Sequence, residues 1–224
     1  YVSNTIDLSA YAGKKMQFAF HYKSTTTNAL GWQITKVKVV ANGEGGGTVD
    51  PEPEPGEEKT FFTETMSSNG IVNNKTIIAS FTGWDNANLT FSDESGNADV
   101  RSIAHKTESN PSETAKVNNV WLPSGKDSKL TISGINTTGY SKFKLSYEAG
   151  ANASIDLNVL KVAFNTQSLT IPSKVISGQN IFYTIETVFE ATGSENSTLE
   201  FSATASDNTA GLRIYNIKLI GLPQ

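Results

Sequence analysis

The chain has 224 residues, with 18 Lys and Arg against 22 Asp and Glu, a formal net charge of −4 and Cys 0. That balance supplies no electrostatic attraction to nucleic acid or to an anionic membrane, and the lack of cysteine excludes disulfides, thiolate nucleophiles and Cys-ligated zinc. Apolar residues make up 37% of the chain, and no apolar run approaches the roughly 18 residues that cross a bilayer as a helix, so direct membrane insertion is not expected.

Residues 1–43 read as the closing strands of one domain. Met16, Phe18 and Phe20 alternate within a strand expected at 14–22, and a second strand is expected at 32–40. Two strands bury too little apolar surface to stand alone. They are therefore expected to be covered, and the favoured cover is a second copy of the chain, giving a dimer through residues 1–43. Because the chain begins inside a strand-like pattern, it is expected to be a processed or truncated fragment.

Residues 44–59 read as a linker. Gly45-Gly46-Gly47 is flexible, whereas Pro51-Glu52-Pro53-Glu54-Pro55 favours an extended polyproline II path stiffened by charge repulsion. Residues 60–224 then read as a complete domain of short strands, expected at 61–66, 76–81, 88–91, 100–104, 119–122, 130–132, 143–147, 157–164, 181–188, 199–205 and 212–219. Turn formers separate them, among them Asn69-Gly70, Ser95-Gly96-Asn97 and Ser124-Gly125. No long segment carries a 3.6-residue period. Many short strands with frequent turns predict an all-β, antiparallel β-sandwich, for which a jelly roll is a common arrangement. Phe143, Leu145, Leu157, Val162, Phe201, Ile214 and Ile217 are expected in its core.

The last strand repeats the end of the first domain. Apolar residues at 212, 214, 217 and 219 match those at 32, 34, 37 and 39, and the two-residue alternation slips by one at the same place in both copies. A shared slip predicts a shared bulge. A second slip, between Leu157-x-Val159 and Leu160-x-Val162-x-Phe164, predicts another.

Several runs resemble the jelly-roll "choice-of-anchor" modules of Bacteroidetes surface proteins. They are Ile6-Asp7-Leu8-Ser9-Ala10-Tyr11-Ala12-Gly13, Gly31-Trp32-Gln33-Ile34, Gly83-Trp84-Asp85-Asn86, Asn119-Val120-Trp121-Leu122-Pro123 and Gly211-Leu212-Arg213-Ile214-Tyr215. That group is similar in architecture to galactose-binding-like and carbohydrate-binding modules. The resemblance implies secretion to a bacterial cell surface, often as a lipoprotein, and a non-catalytic binding role with a glycan as ligand. A structural or adhesive spacer is the alternative, and a glycoside hydrolase or lyase domain the third. Many carbohydrate-binding jelly rolls ligate a structural calcium through an Asp of the last strand. Here the matching positions are Thr35 and Tyr215, which offer no carboxylate, so no metal site and no cofactor are carried over.

The candidate ligand residues are Trp84, Asp85, Asn86 and Arg101. A sugar's apolar face can stack on the indole while the carboxylate, amide and guanidinium take its hydroxyls. Against this, Trp84 could plug the end of the sandwich while Asp85 caps a turn. Trp121 reads as core. Asp93, Ser95, Asn97 and Asp99 mimic a calcium loop, but Gly96 stands fourth and Ala104 twelfth, so the run reads as a polar turn. His21 and His105 have no nucleophile or ligand partner at a known spacing, so no catalytic residue is assigned.

Overall fold

The chain divides into two units, Tyr1–Val49 and Asp50–Gln224. A computed structural model describes residue 8 and residues 57–178 and 180–223. The strands expected at 14–22 and 32–40, linker residues 44–56 and the dimer through 1–43 lie outside the described residues.

The second unit is a β-sandwich, as its alternation predicts. Its larger sheet joins β1 (Lys59–Glu64), β2 (Thr76–Ile77), β4 (Asp99–Ala104), β5 (Lys106–Thr107), β6 (Lys116–Leu122), β8 (Lys142–Ala151), β13 (Ile181–Glu190) and β15 (Leu212–Gly221). Its smaller sheet joins β3 (Thr90–Ser92), β7 (Ser128–Ile135), β10 (Lys161–Phe164), β11 (Gln167–Ser168) and β14 (Ser197–Ala203). A further pair, β9 (Ala153–Asp156) with β12 (Val175–Gly178), stands apart from both. The seven residues expected in the core are all nearly inaccessible, Val162 being the most exposed at 2%. Apolar residues alternate inward from each sheet, and aromatic pairs such as Tyr147–Phe201 and Phe143–Phe164 join the two layers at about 5 Å between ring centroids.

The slip in the last strand is a bulge. The register of β15 on β8 shifts between Tyr215 and Lys218, and Asn216 takes a left-handed backbone at φ 50°, a conformation asparagine tolerates better than most residues. The slip near Leu157 has another cause. Leu157–Val159 forms one turn of 3-10 helix, with Asp156 accepting a hydrogen bond from the Asn158 N–H, so the phase changes across a turn rather than a bulge. The strand expected at 76–81 likewise stops at Ile77 and passes into a 3-10 turn at Ile78–Ser80.

One connection shapes the larger sheet. The order β4-β6-β15-β8-β13-β5 places β4 and β5 five strand steps apart, yet only His105 separates them in sequence. In a flat sheet five steps of about 4.8 Å would intervene, and a residue spans at most about 3.6 Å. The sheet must therefore curl until its two sides meet. The strand that pairs with β6 through Asp99–Ala104 continues, after His105, into a parallel pairing with Ile181 and Phe182 of β13. This is the one departure from antiparallel pairing among the described strands. The concave face is thereby closed into a second, largely polar interior. Trp121 and Phe182 lie there, at 7% and 2% exposure, outside the main hydrophobic cluster.

Candidate functional site

The loop carrying Trp84, Asp85 and Asn86 is clamped to the end of β1. Glu64 is fully buried, and its carboxylate accepts from the backbone N–H groups of Met66 (2.8 Å), Asp85 (3.0 Å) and Asn86 (3.2 Å) and from Asn86 Nδ2 (2.9 Å). Asn86 Nδ2 also donates to the Thr63 carbonyl at 2.7 Å. Asp85 accepts from the N–H and hydroxyl of Thr65, each at 2.6 Å, and from the N–H and hydroxyl of Ser67. Trp84 stacks on Phe91 with centroids 3.9 Å apart and planes 4° from parallel, and meets Phe81 edge-on.

These contacts give the residues of the expected ligand set structural roles within the fold. Trp84 sits on Phe91, whose side chain points between the sheets, so one indole face is already covered. Asp85 and Asn86 hold backbone groups of their own fold. Arg101 follows Val100, a fully buried core residue, and strand alternation sends it to the opposite face of the larger sheet. A β-sheet thus separates Arg101 from Trp84, and the four residues do not form one site.

Burial pushes the Asp85 carboxyl up, but the hydrogen bonds from Thr65 and Ser67 outweigh it and hold the group below its ordinary 3.8. A carboxyl depressed on folding contributes stability above its unfolded pKa, and the contribution is lost as pH falls through the folded value. Between about pH 5 and pH 2 the urea midpoint of the native protein should therefore fall more steeply than that of Asp85→Asn. Parallel pH profiles would mean that Asp85 does not anchor the loop.

Arg101 belongs to the curled face. Its guanidinium forks onto Asp99 and stands 4.9 Å from the Trp121 ring centroid, while Arg213 stands 4.4 Å from the same ring. Trp121 is buried as expected, but under two cations on the far face rather than in the apolar core. Gly211 permits this packing. Its φ is +72°, and a Cβ there would lie 2.1 Å from the indole. Gly211→Ala should destabilise the protein by roughly 2–4 kcal/mol, combining left-handed strain with overpacking. Thermal unfolding checks this, and a neutral result would place the indole elsewhere. Further along the same face, His105 Nε2 and Glu148 Oε2 are hydrogen-bonded. Tyr215 and Phe182 pack on the imidazole at 5.0 and 5.5 Å, and Asn216 Nδ2 donates to Glu148 Oε1 at 3.0 Å. These side chains line the curled face, and among them Arg101, His105 and Tyr215 are half-buried.

Asp93 serves its own turn, as expected. It accepts from the N–H and hydroxyl of Ser95 and from the Ala98 N–H.

An open concavity lies on the outer face of the smaller sheet, where β10, β14 and the segment after β11 enclose about 360 Å³. Ala163, Leu169 and Ile171 give it an apolar strip, and Ser168, Ser202 and Glu200 project polar groups along it. Glu200 is paired with Lys129 at 3.0 Å. Sequence reasoning missed this groove because β11 is only two residues long and the alternation of Leu169 and Ile171 is cut off at once by Pro172. The alternating polar residues Lys161, Glu200 and Ser202 were its one visible trace.

The fold and these sites define an antiparallel β-sandwich with a groove on one sheet. No family model matches the chain, and no curated protein matches it. Among solved structures it is similar to the enzymatically active domain of tailspike protein 4 from bacteriophage CBA120, at 17% identity and TM-score 0.38, over 61% of this chain and 19% of that one. It is similar to the CBM22-1 xylan-binding domain of Xyn10C from Paenibacillus barcinonensis, at 10% identity and TM-score 0.43, over 75% of this chain and 97% of that one. It is also similar to the Stig cyclase Fisc from Fischerella sp. TAU, at 12% identity and TM-score 0.47, over 71% and 94%. Carbohydrate-binding modules of families 35 and 6 are among the other neighbours.

Proposed function

We propose that this protein is a non-catalytic binding module whose ligand is a glycan, held in the groove over β10 and β14. The groove itself carries the proposal. Its volume, about 360 Å³, falls within the roughly 300–1,000 Å³ of small-molecule sites. It pairs an apolar strip, suited to the C–H face of a sugar ring, with hydroxyl and carboxylate groups suited to its hydroxyls. Hydrolysis of a glycosidic bond needs two carboxyl groups flanking it. Glu200 is the single acid among the residues lining this groove, and it is tied to Lys129, which favours binding over chemistry.

The test is a glycan array probed with the full chain, followed by titration of whatever glycan is retained. Ser202→Trp would fill the groove from an outward-facing strand position. It should weaken binding at least about tenfold, the loss of one good anchor's worth of contacts, while leaving the melting temperature unchanged. Retention that ignores Ser202→Trp would remove the groove from the proposal. A second reading, a spacer without a ligand, is favoured by the way Trp84 and Trp121 are both committed to packing. It predicts that no glycan is retained at all.

A further inference from the structure

At one end of the curled face, hydrogen-bond acceptors run out before donors do. Arg213 is 6% exposed. Its Nε donates to Asn180 Oδ1 at 2.7 Å, one terminal nitrogen to Asn119 Oδ1 at 3.0 Å and the other to Asn152 Oδ1 at 3.2 Å. A guanidinium carries five N–H groups and accepts nothing, so two of its donors have no partner among the described residues. No carboxylate of the described residues lies within ion-pair distance of Arg213, an unusual state for a buried charge.

The amides around it continue the imbalance. Each of these asparagines must turn its oxygen to Arg213, because a guanidinium only donates, and so must turn its NH₂ elsewhere. Asn119 Nδ2 donates to the Arg101 carbonyl at 2.8 Å, whereas Asn152 and Asn180 have no partner for theirs among the described residues. Arg101 engages Asp99 through Nε and one terminal nitrogen, which leaves its other terminal nitrogen over. Two guanidiniums therefore face one carboxylate, a surplus of one positive charge. Burial and then the like charge of Arg101 push Arg213 down to about 10, so it remains a cation at neutral pH. Asn152 is exposed, and the cluster opens to solvent beside it.

We propose that Arg213, Arg101, Asn152 and Asn180 form an oxyanion site that takes a carboxylate or sulfate group. A charged acceptor there would receive the unpartnered N–H groups and balance the surplus cation, and charge-assisted hydrogen bonds of this kind are the stronger sort. The site lies on the larger sheet, and its existence does not depend on the groove over the smaller one.

The test is an NMR titration of the full chain, following arginine Nε–H and tryptophan indole signals at constant ionic strength. Sodium sulfate, sodium glucuronate and glucose are the three probes. The expected result is that Arg213, Arg101 and Trp121 signals move with sulfate or glucuronate and stay still with glucose. Response to sulfate shows that a free inorganic anion suffices. Response to glucuronate alone shows that the carboxylate must be carried on a sugar, and either result supports the site. Asn152→Asp is the decisive variant, since it changes an exposed residue and sets a fixed carboxylate beside Arg213. It should abolish the anion response and leave the melting temperature level or higher. Absence of response to both anions, an equal response to glucose, or an anion response that survives Asn152→Asp would overturn the proposal.

Discussion

Glu64→Ala should cost the fold about 2–4 kcal/mol, because it strips one buried acceptor from four donors at once. Four N–H donors converge on this carboxylate. Three belong to the backbone of Met66, Asp85 and Asn86 and cannot rotate toward water when their acceptor disappears. A buried donor left without a partner costs about 1–3 kcal/mol, and these losses overlap because the loop will relax. Against a total stability of about 5–15 kcal/mol for a domain of this kind, urea unfolding should detect the change without difficulty. Glu64→Gln should be milder, keeping one acceptor oxygen while turning an NH₂ toward existing donors. A loss below about 1 kcal/mol for the alanine variant, the size of an ordinary surface change, would mean that the loop holds itself without Glu64.

Trp84→Ala should destabilise by about 2–4 kcal/mol, somewhat less than emptying a fully buried tryptophan site, because Trp84 is half-buried against the core. The ring stacks on Phe91, which is 9% exposed on an inward-facing strand position, and both Phe91 and Phe81 would lose a packing partner. Glycan affinity of the surviving folded protein should not change. The opposite outcome is equally specific: affinity reduced by about 1–3 kcal/mol with the melting temperature intact would restore Trp84 as a ligand platform.

Much of the main core was legible because both sheets bury one face against each other, and the alternation marks that face directly. Leu199, Phe201 and Ala203 are the inward set of β14, and Phe143, Leu145 and Tyr147 that of β8. The slip between Ile214 and Ile217 was legible for the same reason, since a bulge must shift the alternation. The turn at Leu157–Val159 produces an identical slip in the pattern, and only its backbone hydrogen bonding distinguishes it.

The second interior was not legible. Asp99, Arg101, Asn119 and Arg213 occupy the alternate positions of their strands, and a polar alternate face ordinarily meets water. Asp99, Asn119 and Arg213 are nevertheless buried and Arg101 partly so, on the face closed by the pairing of Lys106 and Thr107 with Ile181 and Phe182, more than 70 residues away, and no local pattern announces a contact so distant. The same distance hid the role of Asp85 and Asn86. Their partners Thr65, Ser67 and Glu64 lie about 20 residues earlier, so an Asp-Asn pair after a tryptophan read as ligand chemistry when it closes a loop.

The central proposal is a glycan held over β10 and β14 rather than against the Trp84 loop. Chemical-shift mapping with a retained glycan tests it most directly. Backbone signals of Ala163, Ser168, Leu169 and Ser202 should move on titration, while the Trp84 indole and the amides of Asp85 and Asn86 stay still. Movement confined to Trp84, Asp85 and Asn86, with the groove residues silent, would contradict it.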